Sequence, residues 1–255
     1  MSHRPAGEPS DGEADTPAGA VLGDSVLQSS TLESVASATR YHDWLTALAR
    51  PHLGDHPIEL GSGLGDYADR WLKLGVPRIT VTDLDPDRLT VLRERFATNE
   101  RVEVLGLDVF DPPARQHSCF VAFNVLEHIP DHVGALTAAH QLVAPGGAVV
   151  MFVPAFMFAM SDFDRRVGHV RRYRLAGLRE AYEQAGLTVE RLHYVNAPGL
   201  PAWFVAMRLL RSTPGDGALV RTWDRLVIPL ARRLERRRFP PFGQSAFAVG
   251  RVPLG

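Results

Sequence analysis

Three glycines and the acidic residues around them have the types and spacing of a ligand-binding turn. The segment Pro57-Ile-Glu-Leu-Gly-Ser-Gly-Leu-Gly-Asp66 places Gly61, Gly63 and Gly65 directly after a short apolar run. Glycine permits a sharp turn and leaves no Cβ where a ligand must approach the backbone. Asp83 follows Gly61 by 22 residues, about where an acidic side chain accepts both hydroxyls of a ribose. The spacing therefore predicts a nucleoside-binding crevice.

The side chains of this turn are acidic. Glu59 and Asp66 flank the glycines, and no basic residue lies near the turn in the sequence to hold a phosphate. The spacing is G-x-G-x-G, whereas dinucleotide-binding turns have G-x-G-x-x-G and hold a pyrophosphate at a helix N-terminus. An acidic turn suits a ligand that carries positive charge, such as the sulfonium and ammonium of S-adenosylmethionine. An NAD or nucleotide-sugar cofactor is therefore disfavoured.

The elements around the turn alternate as in a parallel sheet that is covered by helices on both faces. We predict strands at 57–61, 78–83, 102–106, 119–124, 148–153, 187–195 and 246–251. We predict helices at 32–48, 66–74, 86–97, 131–143 and 175–185. A turn is expected at 145–147, and an irregular segment at 154–170.

Residues 196–243 interrupt this alternation and form a predicted helical insertion that could be a lid or a dimer interface. Helices are expected at 200–210 and 219–234, with a kink at Pro229. Nine arginines lie between residues 206 and 238. This basic amphipathic helix could lie on an anionic membrane, although such helices more often pack on the sheet. Its predicted apolar face comprises Val220, Trp223, Leu226, Val227, Leu230 and Leu234.

Composition sets outer limits on the function. The 255 residues suffice for one large α/β domain, which we place at 25–255 after a disordered acidic tail at 1–24. A net charge of −1 does not indicate bulk nucleic-acid binding. The single cysteine, Cys119, excludes internal disulfides and is expected to be a buried thiol. No signal core or membrane span is evident, so we expect a cytoplasmic protein.

Taken together, the motifs resemble those of class I S-adenosylmethionine-dependent methyltransferases, from about residue 31 onward. The resemblance implies an α/β fold with a seven-stranded Rossmann-like sheet and a reversed last strand. Further motifs resemble a bacterial branch of that family with diverse acceptors. The stretches that carry the resemblance are 58–65, 82–85, 106–108, 124–131 and 145–147 for the family, and Gly168-His-Val-Arg-Arg-Tyr173, 196–199 and Pro241-Phe-Gly-Gln-Ser245 for the branch.

The resemblance also implies the roles of the cofactor-binding residues. The backbone of Gly61, Ser62, Gly63 and Gly65 would meet the methionine portion, and Asp83 would hold the ribose. Asp108 would meet the adenine amino group, and Leu84 and Val109 would sandwich the adenine ring. The carbonyl of Asn124 would accept from the cofactor's ammonium. Glu59 is a further cofactor-binding candidate, although it could instead be a strand residue that faces a helix terminus. Apart from the resemblance, Tyr41 of the first helix could either close over the cofactor or pack in the core, whereas core packing better explains Trp44.

The acceptor side depends on histidines. His169 is the preferred general base or acceptor ligand, because it follows the fifth strand in a segment where acceptor sites are usually built. His128 lies at the mouth of the crevice and titrates near neutrality, although a packing role is equally consistent. Tyr173 is the third catalytic candidate. Alternatively, Arg171, Arg172 and Tyr173 pin this segment to Asp162 or Asp164.

We expect no metal site, because Asp131 and His132 beside His128 make only a weak set of mixed ligands. The aromatic residues at 156–158 and 203–204 suggest either an apolar acceptor pocket or packing between sheet and insertion. The leading hypothesis is methyl transfer to an oxygen, nitrogen or carbon of a small specialised metabolite. Alternatives are a glycan or lipid-linked glycan acceptor, and a protein that binds the cofactor without methylating.

Overall fold

The computed structural model describes residues 23–24, 26–30, 37–112, 116–209, 217–236 and 239–254. Seven strands form one sheet in the order β3-β2-β1-β4-β5-β7-β6. Strand β7 pairs antiparallel with β5 and β6, and the other pairs are parallel. The predicted Rossmann-like sheet with a reversed last strand is therefore confirmed. The strands are β1 (Pro57–Leu60), β2 (Ile79–Asp83), β3 (Val102–Gly106), β4 (His117–Phe123), β5 (Val143–Pro154), β6 (Thr188–Val195) and β7 (Ser245–Arg251).

Helices cover both faces of the sheet, as the short apolar strands predict. On one face, α4 and α6 pack against the sheet, and on the other face α1, α2, α3 and α8 do so. Cys119 is fully buried in the second of these cores, as expected. The helices are α1 (Thr39–Ala49), α2 (Asp66–Lys73), α3 (Pro86–Arg95), α4 (His132–Leu142), α5 (Asp162–Arg166), α6 (Leu175–Gln184), α7 (Gly199–Trp203) and α8 (Gly217–Glu235).

The strand order reverses between β1 and β4, and this reversal positions the site. Strands β2 and β3 lie on one side of β1, whereas β4 and β5 lie on the other. Loops that leave the carboxyl ends of β1 and β4 therefore diverge and leave a crevice between them. The glycine turn follows β1 and Asn124 follows β4, so both predicted motifs lie at this crevice.

Two local predictions differ from the structure. Residues 154–170 are not wholly irregular, because a 3-10 turn (Met157–Ala159) and α5 lie within them. Ser161 and Asp164 form a reciprocal capping box that starts α5, a signal that the aromatic composition obscured. The expected turn at 145–147 lies inside β5, where the register with β4 shifts.

The apolar face predicted for the insertion helix is wrong for three of its leucines. Leu226, Leu230 and Leu234 are largely exposed, and the buried face of α8 carries Ile228 and Ala231 instead. The inward face also contains a buried carboxylate, which an apolar pattern cannot reveal. No helix within the described ranges is long and apolar enough to cross a membrane.

Two acidic residues of α8 bind it to the rest of the domain. The buried carboxylate of Asp224 accepts from the backbone N–H groups of Arg40 and Tyr41, at 3.1 and 2.8 Å. These groups belong to the first turn of α1, which has no side-chain cap of its own. Glu235 accepts from the N–H groups of Asn196 and Ala197, at 3.1 and 2.9 Å. The insertion therefore fixes the helix that carries Tyr41.

Candidate functional site

A cavity of about 420 Å³ lies at the crevice. Twelve of the fourteen residues predicted for the site line it, and Gly65 and Tyr173 do not. The lining residues from the prediction are Tyr41, Glu59, Gly61, Ser62, Gly63, Asp83, Leu84, Asp108, Val109, Asn124, His128 and His169. The structure thus brings the proposed cofactor residues and the two histidines to one cavity.

The glycine turn is held in shape by β2. Gly61 has a φ of +66°, and a Cβ there would lie 2.7 Å from Val125 Cγ2. The Ser62 N–H donates to the Thr82 carbonyl at 2.7 Å, and the Gly63 N–H donates to Asp83 Oδ2 at 3.0 Å. Glycine at 61 is therefore required both by backbone conformation and by space.

Asp83 organises the backbone as well as facing the cavity. Its Oδ1 accepts from the N–H groups of Leu84 and Asp85, at 2.9 and 3.1 Å. Together with the bond from Gly63, three backbone groups fix the carboxylate, which is only 4% exposed. A rigidly held carboxylate has lone pairs left for a ligand's hydroxyls. Sequence spacing located Asp83 but not this second role.

Gly65 lies behind the cavity. It precedes α2 in the left-handed conformation, with a φ of +81°. A Cβ at this position would lie 2.7 Å from Phe96 Cε2. Gly65 therefore joins the turn to α2 and permits close packing against α3, rather than lining the cavity.

Two arginines that are distant from the turn in the sequence approach it in the folded chain. Arg95 of α3 donates to the Leu64 carbonyl and to Asp66 Oδ1, the latter at 2.8 Å. Arg88 lines the cavity with its guanidinium 3.9 Å from Asp83 and 3.7 Å from Asp85. Carboxylates therefore offset both arginines, and the acidic character of the turn persists beside them.

Glu59 and Asn124 approach the cavity from β1 and β4. Burial raises the pKa of Glu59 to about 8, and its Oε2 lacks a hydrogen-bond partner among the described residues. Asn124 has a φ of +54°, and its N–H donates to the Phe152 carbonyl at 2.8 Å. This conformation turns the chain away from β4 at the crevice.

The adenine-side candidates follow β2 and β3. Leu84 is 41% exposed at the cavity wall, whereas Val109 is buried there. Asp108 Oδ1 accepts from the Phe110 N–H at 3.0 Å, which fixes the loop after β3. Leu84, Asp108 and Val109 therefore line the same cavity, near the carboxyl ends of β2 and β3.

A buried ion pair holds His169. Asp164 Oδ1 lies 2.9 Å from His169 Nδ1 and accepts from Arg172 Nη2 at 2.7 Å. Burial alone would raise the pKa of Asp164, but the hydrogen bond from His169 and the Arg172 guanidinium hold that pKa well below its usual range. Arg172 thus has the pinning role that the sequence left open, while His169 faces the cavity.

His128 lies against His169, with ring centroids 4.6 Å apart. Burial, and then the charge of His169, lower the pKa of His128 to about 3. His128 is therefore a neutral imidazole at neutral pH. Its neighbour Glu127 is fully buried, and burial raises the pKa of this carboxyl to about 7.

Tyr173 does not fit the expected catalytic role. Its side chain is buried in the core, and its hydroxyl donates to the Leu126 carbonyl at 3.3 Å. Burial raises the pKa of the phenol, which disfavours it further as a base. Tyr173 therefore supports the loop that carries Glu127 and His128. Arg171 likewise binds this loop, by donating to the Pro130 carbonyl at 2.6 Å.

The aromatic residues that could form either a pocket wall or a packing contact include examples of both. Trp203 lines the cavity, and the Arg172 guanidinium lies 5.1 Å from its ring centroid. Phe156 stacks on Tyr194 with centroids 4.8 Å apart and does not line the cavity. Trp44 is buried in the core, as expected, whereas Tyr41 lines the cavity.

Sequence reasoning missed a lining residue near the N-terminus. Gln28, in a helical segment at 26–30, donates to the Val167 carbonyl at 2.7 Å and accepts from Arg88 at 3.1 Å. Asp24, within the predicted tail, donates its N–H to the Arg166 carbonyl at 2.9 Å. Residues 1–22 lie outside the described residues. A short polar segment offers no periodicity that could have predicted this placement.

Comparisons with known proteins agree with this architecture. Residues 58–149 match a family model described as a methyltransferase domain. The chain is 33% identical over 108 residues to a ribosomal protein L11 methyltransferase of Geobacter metallireducens, covering 42% of this chain and 35% of the relative. The chain spans about a third of the length of the curated relatives it matches.

Solved structures share the fold over most of the chain. One is the complex of the Haloferax volcanii Trm112 methyltransferase activator with a methyltransferase, with a TM-score of 0.60, 18% identity, and 88% and 94% coverage of the two chains. Another is phosphoethanolamine N-methyltransferase 2 of Haemonchus contortus in complex with S-adenosyl-L-methionine, with a TM-score of 0.58, 16% identity, and 83% and 52% coverage. The chain thus shares its fold with these structures, and residues 58–149 are the segment that matches the methyltransferase-domain model.

Proposed function

We propose that the protein is an S-adenosylmethionine-dependent methyltransferase that acts on an oxygen, nitrogen or carbon atom of a small molecule. The observation that carries this proposal is the single cavity shared by the Gly61–Gly63 turn, Asp83 and the pair His128 and His169. The cofactor end of the cavity, at the glycine turn and Asp83, therefore lies next to an acceptor end at His128 and His169. An in-line displacement requires this proximity.

The cofactor end consists of residues whose placement supports the expected roles. Asp83 holds the ribose hydroxyls, Asp108 meets the adenine amino group, and Leu84 and Val109 enclose the ring. The glycine turn and Asn124 meet the methionine portion. The methyltransferase-domain match and the neighbour solved with S-adenosyl-L-methionine support this cofactor.

The acceptor end is small and partly apolar. Phe163 and Trp203 line it together with the two histidines. A cavity of about 420 Å³ that also holds the cofactor leaves room for a compact acceptor. His169, oriented by Asp164, aligns the acceptor or receives its proton. Curated relatives include proteins named for methylating ribosomal protein and ribosomal RNA, so such acceptors serve as comparison substrates.

Ligand-induced thermal stabilisation tests the cofactor assignment. S-adenosylmethionine and S-adenosylhomocysteine at saturating concentration are each expected to raise the melting temperature, because both bind only the folded state. NAD at the same concentration is the control and is expected to have no effect. Stabilisation by NAD alone would overturn the proposal. Release of S-adenosylhomocysteine with a screened acceptor then separates methyl transfer from binding without transfer.

Because burial raises the pKa of Glu59, we expect cofactor affinity to depend on pH. The pKa of the free carboxyl is raised to about 8 by burial, so the group is mostly protonated at pH 7. A cationic ligand favours the ionised form, so binding releases a proton and affinity rises as pH increases from 6 to 8, by at most about tenfold per unit. Above pH of about 9, where the free carboxyl is already ionised, the affinity becomes constant.

Calorimetry in buffers of different ionisation enthalpy measures this proton release. S-adenosylhomocysteine, which lacks the sulfonium charge, is expected to show a weaker pH dependence. Glu59→Gln has the same shape but cannot ionise, so its affinity profile should be flat over this range. A wild-type profile as flat as that of the variant would contradict the proposed role of Glu59.

A further inference from the structure

Glu127, His128 and His169 bring three potential metal-ligating atoms together at the acceptor end. One atom from each side chain lies within 4.8 Å of the other two, and Glu127 Oε1 is 3.8 Å from His169 Nε2. The two histidines line the cavity, whereas Glu127 is fully buried beside them. Two residues come from the loop after β4, and the third comes from the segment after α5.

The second ring nitrogen of His169 is already engaged by a carboxylate. Its Nδ1 lies 2.9 Å from Asp164, whose negative charge is matched by Arg172 at 2.7 Å. This contact engages Nδ1, while Nε2 lies on the side of Glu127, 3.8 Å from its Oε1. Histidines that bind metals typically donate their other N–H to a carboxylate or a backbone carbonyl in this way.

His128 has a similar arrangement with the backbone, because its ring is hydrogen-bonded to Gly168. An imidazole has two ring nitrogens, so one of them is left for another ligand. Each of the two histidines therefore has a hydrogen-bond partner outside the cluster.

Glu127 supplies an independent indication that a ligand belongs here. Its side chain is 0% exposed, and neither carboxylate oxygen has a hydrogen-bond partner among the other described residues. The charged groups nearest to it are His169, Arg172 and Asp164. A buried carboxylate without partners is costly, and a cation bound to it would offset that cost.

We propose that Glu127, His128 and His169 bind a divalent transition ion that holds an oxygen of the acceptor. The statement about the acceptor rests on the proposed function, whereas the ion site does not. Two imidazoles and one carboxylate suit zinc or iron(II), and three protein ligands leave coordination positions open for substrate. This inference revises the sequence-based expectation of no metal, because a sequence does not show that His169 meets His128.

The site narrows the acceptor class to molecules with a hydroxyl that can bind the ion. Coordination would promote loss of the hydroxyl proton to solvent or to a basic group of the acceptor. The oxygen lone pair then forms the new bond to the methyl carbon, and the carbon–sulfur bond breaks. Its electron pair stays on sulfur, so the products are the methyl ether and S-adenosylhomocysteine.

Titration of the chelator-treated full-length protein with Zn²⁺ tests the ion site in the absence of cofactor. One saturable equivalent per chain is expected, with Mg²⁺ binding far more weakly because it prefers all-oxygen ligands. Glu127→Gln should weaken Zn²⁺ binding by more than the roughly 10–100-fold that loss of an outer-shell partner costs. His132→Gln changes a nearby histidine at the start of α4, outside the cluster, and this variant should bind Zn²⁺ as the wild type does.

The glutamine variant keeps the shape of Glu127 and removes a buried charge, so it is expected to fold. His169→Gln provides a second loss-of-ligand variant. Absence of a one-equivalent site, or equal Zn²⁺ affinity in the wild type and both ligand variants, would overturn the inference. Zn²⁺ binding without stabilisation by S-adenosylmethionine would instead overturn only the proposed function, so the two failures are distinguishable.

Discussion

Replacing Asp83 with alanine is expected to weaken the binding of S-adenosylhomocysteine by about 100-fold or more. Each hydrogen bond from a ribose hydroxyl to a charged carboxylate contributes about 1.5–3 kcal/mol. Loss of two such bonds therefore amounts to about 3–6 kcal/mol, and each 1.4 kcal/mol is about tenfold in affinity. Calorimetric titration of the purified variant measures the change.

Part of this loss has a structural origin, since Asp83 also binds the N–H groups of Gly63, Leu84 and Asp85. Asp83→Asn keeps the shape and one acceptor oxygen, so its affinity should fall between those of the wild type and the alanine variant. Asp87→Ala, an exposed carboxylate on the same loop-to-helix junction, is the matched control and should bind normally. A folded Asp83→Ala variant with affinity within about threefold of wild type would refute the assigned role.

The sheet was predictable from sequence because local patterns determine it. Short apolar strands, the helix start at Asp85-Pro86 and the glycine turn each depend on neighbouring residues. The Asp85 side chain does cap α3, by accepting from the Asp87 N–H at 2.9 Å. Motif spacing was also sufficient to bring Asp83, Asp108 and Asn124 to one crevice, since they lie at or just after the carboxyl ends of β2, β3 and β4, which are parallel to one another.

Features that depend on contacts between distant segments were not predictable. The inward face of α8 is determined by Asp224 bonding to α1, and hydropathy alone assigned Leu226 and Leu230 to the core instead. Tyr173 shares a motif with His169, yet its hydroxyl turns to the Leu126 carbonyl. The cluster of Glu127 with His169 likewise arises only when the loops after β4 and α5 meet.

Asp164→Asn is expected to lower the free energy of unfolding by about 3 kcal/mol at neutral pH. The side chains of Asp164 and Arg172 are 0% and 2% exposed, so removing the carboxylate leaves a buried guanidinium without its counter-charge. Breaking one partner of such a buried pair typically costs about 3–5 kcal/mol. An amide also has only one acceptor oxygen, whereas Asp164 uses both of its oxygens: Oδ2 accepts from Ser161, and Oδ1 contacts His169.

The same helix contains a matched control. Asp162 pairs with Arg165 at 3.2 Å, but their side chains are 77% and 59% exposed. Because solvent screens such pairs, Asp162→Asn should change stability by no more than about 0.5 kcal/mol. Urea denaturation of both variants and the wild type compares the two pairs directly. Equal stability losses in the two variants would contradict the importance of burial.

The difference in stability between the wild type and Asp164→Asn should change with pH in a definite direction. In the folded protein the pKa of Asp164 is held well below its usual range. In the unfolded chain an aspartate has a pKa of about 3.9. Its stabilising contribution is therefore fully present above pH of about 4 and is lost as pH falls through the folded-state pKa. The stability gap between wild type and Asp164→Asn should accordingly narrow on acidification. A gap that widens in acid would show that Asp164 is neutral in the native state, and with it the orientation assigned to His169 would fail.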